Sequence, residues 1–354
     1  MKISRRNFLK GSATTLFLAG FNFPVLANTT KKKNLVIIML RGGMDGLCAV
    51  PIIGDKNFEK RRKDLILDET IKLNSDFALH PKLKNFYNLW QNNLGAIVHA
   101  TNIPYTKRSH FDGQNLMETG AHTPYTEKTG WLGRGMKSAG LYGSSLALSL
   151  PMPLLLRGVE KNNNYFPTWM SLPKREIIER ITRAYDGVEQ DKLQEVYNVI
   201  MNRPLTMQGG DETLDSLSKR TAQILKDPLG PKVAVFDLEG FDTHTAQGTD
   251  NGEHAENLQD VDLIIKNLHA GMGGDFDNTL ILTLTEFGRT VEQNGGNGTE
   301  HGYGSAILMA GGLLKKSQVF TDWPGLKKGN LFPVSYTHLR AHETDSYLVC
   351  RLLL

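Results

Sequence analysis

The chain has 354 residues, 40% hydrophobic and 22% charged, with 35 Gly and 14 Pro. That composition supports a sizeable core and excludes a disordered chain, a collagen-like repeat and a disulfide scaffold. The formal charge of +4 comes from the first 27 residues: without Lys2, Arg5, Arg6 and Lys10, the 41 Lys and Arg become 37, equal to the 37 Asp and Glu. A neutral remainder gives no reason to expect a nucleic-acid partner.

The N-terminus reads Ser4-Arg5-Arg6-Asn7-Phe8-Leu9-Lys10, followed by an apolar stretch to about Phe23 and then Val25-Leu26-Ala27. A charged start, a short apolar core and a small-residue cleavage site predict a signal peptide over residues 1–27, and the arginine pair is similar to a twin-arginine export signal. Gly20 and Pro24 interrupt the apolar run, which is short for a membrane span. The expectation is handling by the twin-arginine translocase, location in the periplasm or outside the cell, and no stable membrane span after cleavage. At the other end, residues 335–354 resemble translated sequencing-adapter read-through. They are expected to be a non-native tail on a domain, 28–334, incomplete at its C-terminus. With Cys350 set aside, Cys48 stands alone, so no internal disulfide is expected.

Between these ends, Val-, Ile- and Leu-rich runs predict buried strands at Asn34–Leu40, Gly95–Ala100, Ser145–Leu150, Lys232–Leu238, Thr279–Thr285 and Ser305–Ala310. Helical patterns occupy Lys174–Asn202 and His254–His269, the latter with Leu258, Val261, Ile264, Ile265 and Leu268 on one stripe. Apolar strands alternating with helices predict one α/β domain whose mostly parallel central sheet is covered by helices on both faces. Residues 104–170 read as a loop-rich insertion that shapes a site.

Unusual polar residues fall just past predicted strands. Asp45 follows the first strand, Asp242 and His244 follow the Lys232 strand, Glu286 follows the Thr279 strand, and His301 lies in a glycine-rich segment before Ser305. In an open parallel sheet these ends share one ligand-binding edge. Carboxylates with imidazoles suit a divalent cation such as zinc, manganese or magnesium, as one or two ions. Taken singly, each residue has a plainer reading: Asp45 in a turn, Asp242 as a cap, His244 on the surface, Glu286 paired with Arg289. Ser109, in Arg108-Ser109-His110-Phe111-Asp112, opens a predicted helix, where it is either a nucleophile beside the cation or an N-cap. Arg108 would assist it, and Arg41 and Arg289 complete an anion-binding set. His80, His99, His122, His254 and His269 lack such context and read as structural.

Five motifs, Arg-Gly-Gly-x-Asp-Gly-Leu, Arg-Ser-His-Phe-Asp-x-Gln, Phe-Asp-Thr-His, Glu-Phe-Gly-Arg-Thr and Gly-Thr-Glu-His-Gly, occur in this order. Together they resemble the domain-of-unknown-function 1501 family of the alkaline phosphatase and sulfatase superfamily. The resemblance implies an alkaline-phosphatase-like sheet with metal at its carboxyl edge. By it Asp45 would be the first-strand ligand and Ser109 the nucleophile; Asp242, His244 and His301 would hold one metal, and Glu286 would fall at a second. The chain departs from better-known members: Glu286-Phe287 stands where Asp-His is usual, and Asp242 and His244 are two apart rather than four. Cys48-Ala49-Val50-Pro51-Ile52 does not match the sulfatase formylglycine motif. The leading expectation is a metal-dependent hydrolase of phosphate or related esters, on a small-molecule or polymeric substrate. The alternative is a non-catalytic envelope protein whose degenerate site binds a ligand.

Overall fold

Asn34–Leu40 forms the first strand, β1, and its unbroken Leu-Val-Ile-Ile-Met-Leu run is buried almost throughout. The alternate side chains Ile37 and Met39 join a core cluster on one face of the sheet, while Val36, Ile38 and Leu40, which point the other way, are buried as well. Both faces are therefore covered, as a continuous apolar strand requires. The computed structural model describes residues 33–148, 152–165, 213–323 and 325–326, with positions 176 and 180. Two compact units divide the chain, Met1–Tyr165 with Ser218–Leu354, and Phe166–Leu217. The sheet and the site described below lie in the first.

After β1 come helices α1 (Gly46–Ala49) and α2 (Lys56–Arg61), the ribbon β2 (Ile71–Lys72) and β3 (Ala78–Leu79), α3 (Lys84–Gln91) and β4 (Gly95–Thr101). Helices α4 (His110–Thr119) and α5 (Trp131–Ser138) precede β5 (Ser145–Leu148) and β6 (Asn163–Asn164). Next are α6 (Leu214–Lys226), β7 (Val233–Leu238), α7 (Glu253–Met272) and β8 (Thr279–Leu284). The chain continues through β9 (Arg289–Gln293), β10 (Thr299–His301), β11 (Ser305–Ala310) and β12 (Val319–Phe320).

Eight strands form the central sheet in the order β12-β4-β11-β8-β1-β7-β5-β6. β1 lies parallel to both β7 and β8, and β5 parallel to β6 and β7, whereas β11 runs antiparallel to β4 and β8. The carboxyl ends of β1, β4, β7 and β8 thus share one edge, and β11 starts from that edge. All six predicted strands are present, with Ser145–Leu150 described as strand to Leu148 and residues 149–150 outside the described residues. The predicted helix His254–His269 is α7, extended by one residue at its start and three at its end. The predicted helix Lys174–Asn202 lies outside the described residues except for positions 176 and 180, both helical. The expected signal segment and C-terminal tail also lie outside them.

Two segments carry regular structure that the sequence pattern did not show. The segment 104–170 is less loop-rich than its Gly and Pro content suggests, for it carries α4 and α5; Leu132 and Met136 bury one side of α5 despite its two glycines. The glycine-rich stretch before Ser305 is partly ordered as the antiparallel ribbon β9–β10. Its strands are too short and polar to leave an apolar pattern. Among the described residues no helix is long and apolar enough to cross a membrane.

Two buried histidines make the fold acid-sensitive. His99 and His254 are buried, and burial holds each near pKa 4 against an ordinary 6.5, with the charge of Asp45 only partly opposing it. A depressed histidine means that the folded chain binds fewer protons than the unfolded chain between those values. Their contribution is complete above about pH 6.5 and is lost as the pH falls toward about 4, each amounting to at most about 3 kcal/mol. Urea unfolding at about pH 7 and about pH 4.5 should show a fall in midpoint that the His254→Leu variant reduces.

Candidate metal centre

At the carboxyl edge, loops from distant parts of the chain are held together by Arg289. Its side chain is fully buried. It donates to the carbonyls of Gly43 (2.8 Å), Gly42 (2.7 Å), Phe241 (2.9 Å) and Thr299 (3.3 Å), and to the Asp242 carboxylate. The loops after β1 and β7 meet at Gly42, which has φ +114; a Cβ there would lie 2.4 Å from the amide nitrogen of Asp242. Only glycine permits that approach. Gly298 does the same for the next loop, where a Cβ would lie 2.4 Å from the carbonyl of His244.

Around this frame three imidazoles converge. His301 Nε2 lies 2.9 Å from His110 Nε2, 2.8 Å from His244 Nε2 and 3.1 Å from Asp242 Oδ1. His110 Nε2 is 3.2 Å from Asp242 Oδ2, and His244 Nε2 is 3.1 Å from Asp242 Oδ1. The far nitrogen of each ring decides the tautomer. His301 Nδ1 is 2.8 Å from the Arg108 carbonyl, His110 Nδ1 is 2.8 Å from Glu286 Oε1, and His244 Nδ1 is 3.2 Å from Glu300 Oε2. Carbonyl and carboxylate oxygens only accept, so all three Nδ1 atoms carry the proton, and in the neutral rings the Nε2 atoms present lone pairs. Lone pairs aimed at one another and at a carboxylate cannot satisfy each other.

A cation satisfies them together. Histidine ligands fixed by an acceptor on the opposite ring nitrogen are the usual outer arrangement of a metal site. Donors on a tetrahedral zinc with bonds of roughly 2.0–2.1 Å stand about 3.4 Å apart, so the observed 2.8–3.2 Å spacings need only a small outward movement. The donor set fits a divalent metal. Among the described residues, His110, Asp242 and His301 form the group of possible ligands whose donor atoms all lie within 4.8 Å of one another; His244 adjoins it through the contacts above.

The electrostatics agree. Burial disfavours the Asp242 carboxylate, but the Arg289 guanidinium outweighs it and holds its pKa below the ordinary value. Burial also opposes ionisation of Glu286, yet hydrogen bonds including those from His110, Gln114 and the Gly42 amide keep its pKa low. Burial lowers the pKa of His301. His110 is the exception: Glu286 and Asp242 outweigh its own burial and raise its pKa, so a cation at Nε2 has to displace a proton there.

The expected site residues divide accordingly. Asp242, His244 and His301 come together. Glu286 is wholly buried and accepts from His110, from the Gly42 amide (2.9 Å) and from Gln114 (3.1 Å), so it orients a ligand from one layer out. Asp45 is placed apart from the cluster: it caps α1 and accepts from Leu47 N, from Gln247 Nε2 at 2.7 Å and from the fully buried Arg62. Arg41 is engaged by Asp237 and Glu118, both at 2.7 Å, and Arg289 by the loop carbonyls, so neither guanidinium is turned toward an incoming anion. Ser109 caps α4, its Oγ accepting a long 3.4 Å bond from Asp112 N. Arg108, at φ 61, turns its carbonyl to His301 and lays its guanidinium 5.4 Å from the Tyr303 ring.

His110 is the candidate ligand whose place the sequence did not reveal. It stands beside Ser109 in the same motif, and its signal was position: the first residue of a helix entered from the carboxyl end of β4. Of the histidines read as structural, His80 is buried with Nε2 on the Thr249 carbonyl, and His99 has Nε2 on the Val50 carbonyl.

The family model described as "Protein of unknown function (DUF1501)" matches residues 182–342, a span that includes Asp242, His244, Glu286, Arg289 and His301. The family resemblance drawn from the motifs is thereby borne out over that span. No curated protein matches the chain. Among solved structures, it is similar to a protein in the alkaline phosphatase superfamily from Vibrio parahaemolyticus, at 11% identity and TM-score 0.42 over 90% of this chain and 72% of that one. It is also similar to the C-terminal periplasmic domain of EptC from Escherichia coli in complex with zinc, at 14% identity and TM-score 0.36 over 80% and 75% of the two chains.

Two substitutions separate the roles of the buried carboxylates. Glu286→Gln removes the anionic acceptor behind His110 and should weaken zinc binding by about 10–100-fold in a competition titration with a chelating dye. Asp45→Asn leaves Arg62 as an uncompensated buried charge and should cost about 3–5 kcal/mol in urea unfolding, with zinc stoichiometry unchanged in the folded fraction.

Proposed function

We propose that the chain is an exported, metal-dependent hydrolase of phosphate or related esters, with one divalent cation held by His110, Asp242, His244 and His301. The observation that carries this reading is the meeting of three Nε2 lone pairs and a carboxylate oxygen, each imidazole having its Nδ1 proton fixed by an acceptor. Three imidazoles with one carboxylate suit zinc better than magnesium, which takes oxygen ligands. When bound, the cation supplies Lewis-acid polarisation of an ester oxygen and acidifies a water.

The chain's own residues do the rest. Ser109, next to His110 at the start of α4, is the nucleophile of this reading. Its oxygen bonds to the central atom of the ester as the alcohol leaves with the hydroxyl proton, and water then hydrolyses the seryl ester and restores the hydroxyl. Arg108, the preceding residue, would bring its guanidinium from the Tyr303 ring to the developing charge. Phe287 packs with its ring centroid 4.7 Å from that of His110 and 5.1 Å from that of His301, shielding the imidazoles on one side. The twin-arginine segment supports export.

One observation favours the binding reading instead. Arg41 and Arg289, which would grip an anion, are already engaged by Asp237, Glu118, Asp242 and backbone carbonyls. The two readings separate by experiment. Zinc content and turnover of p-nitrophenyl phosphate and of a sulfate and a diester analogue are measured for the full chain, Ser109→Ala and His301→Ala. A hydrolase loses turnover in both variants, about 10³-fold or more for Ser109→Ala, and loses zinc in His301→Ala alone. Stoichiometric zinc without turnover of any ester supports the binding protein, and a folded chain that takes up no zinc sinks the hydrolase and leaves the binding protein.

A further inference from the structure

Arg108 carries a bulky side chain, yet its backbone lies in the left-handed region, at φ 61. A residue other than glycine adopts that conformation at a cost, so its surroundings have to hold it there. They grip the turn on both sides. Ser109 N donates to the Tyr105 hydroxyl (3.1 Å), which itself donates to Asp112 Oδ2 (3.2 Å). The Tyr303 hydroxyl donates to the Thr106 carbonyl (3.1 Å), and the Arg108 guanidinium lies over the Tyr303 ring. Tyr303 is anchored through its backbone in turn. Gly288 N donates to the Tyr303 carbonyl (2.9 Å), and Gly302 N donates to the Gly288 carbonyl (2.8 Å).

The carbonyl that this turn presents accepts from His301 Nδ1 at 2.8 Å. Phe287 packs against the same imidazole, but a packed ring face does not select which nitrogen points inward. An acceptor at Nδ1 does, because it fixes both the tautomer and the rotation of the ring. The contacts close a circuit: from His301 to Tyr303 two residues on, from Tyr303 to the 106–108 turn, and from that turn back to His301. We propose that the left-handed turn at Arg108 positions His301 to bind a metal ion, and that Tyr303 is the positioning residue that clamps the turn. The proposal rests on the metal centre described above and not on ester hydrolysis. Arg108 acts here through its main chain. With the preceding residues held by Tyr303, a return of Arg108 to negative φ rotates its carbonyl away from His301 and frees the imidazole to turn.

Two substitutions isolate the backbone. Arg108→Asn and Arg108→Val both remove the guanidinium, but Asn tolerates the left-handed region whereas β-branched Val avoids it. Zinc affinity of the full chain is measured by competition with a chelating dye, and the visible absorption bands of the cobalt(II) form report ligand geometry. Arg108→Val should bind zinc about tenfold more weakly than Arg108→Asn, with shifted cobalt bands. Tyr303→Leu leaves Arg108 in place and should weaken zinc binding by about tenfold, with Tyr303→Phe, which keeps the ring, between it and the wild type. Urea unfolding of the metal-free variants separates damage to the fold from damage to the site. If Arg108→Val does not fold, the Tyr303 pair carries the test. Unchanged zinc affinity and cobalt bands in Arg108→Val or in Tyr303→Leu, whatever the urea midpoint, overturn the proposal and leave the metal centre. A folded wild-type chain that takes up neither ion overturns the metal centre and the proposal together. Zinc binding in the expected order of variants, without turnover of any ester, supports the positioning role and removes the hydrolase alone.

Discussion

A guanidinium with no exposed surface holds this edge of the sheet together. Arg289 begins β9, yet its nitrogens reach the backbone of the loops after β1 and β7, the end of the polar ribbon and the Asp242 carboxylate. A buried cation needs its donors satisfied and its charge balanced. Four carbonyls provide the first and Asp242 the second. The arrangement works in both directions, since the loops stay close because the cation binds them and its buried charge is balanced because Asp242 faces it. Asp242 is thereby fixed with one oxygen toward the arginine and the other toward His110.

A second buried ion pair works beneath the first. Arg62, with no exposed surface, joins Asp45 to the carbonyls of Val291 and Thr290, tying the start of α1 to β9. Gln247 extends the network, donating to Asp45 and accepting from Thr243 and Thr299. The candidate metal centre is thus bordered by a network of satisfied polar groups. Such a network tolerates few partial substitutions, because removing one member leaves its partner buried and unpaired.

Much of this was legible in the sequence, and the reasons differ by residue. β1, β8 and β11 declared themselves because strands buried on both faces need unbroken apolar runs. Asp242 and His301 were found because each adjoins such a strand at the edge where ligands gather. Asp45 met the same criterion yet serves as a helix cap and the counter-charge of Arg62, since position on an edge does not say which way a carboxylate turns. What turned it was Arg62, an exposed-looking residue in a charged stretch that gave no sign of being buried. His110 was hidden by Ser109, the more reactive group next to it. Glu286 reaches the cluster only through His110 and stands one layer out, a distinction set by a ring-nitrogen contact that no spacing encodes.

The ligands are also far apart along the chain. His110 and His301 are separated by 191 positions, and His301 lies 57 beyond His244. An unfolded chain closes loops of that length only rarely, so it holds no competent chelate, and under the proposed reading a divalent ion would recognise the finished fold alone. Metal capture would then be a late event in maturation. Once made, the coordination would cross-link segments distant in sequence, and release of the ion would be tied to the rate at which those segments separate. The centre would act as a kinetic lock on the protein that carries it.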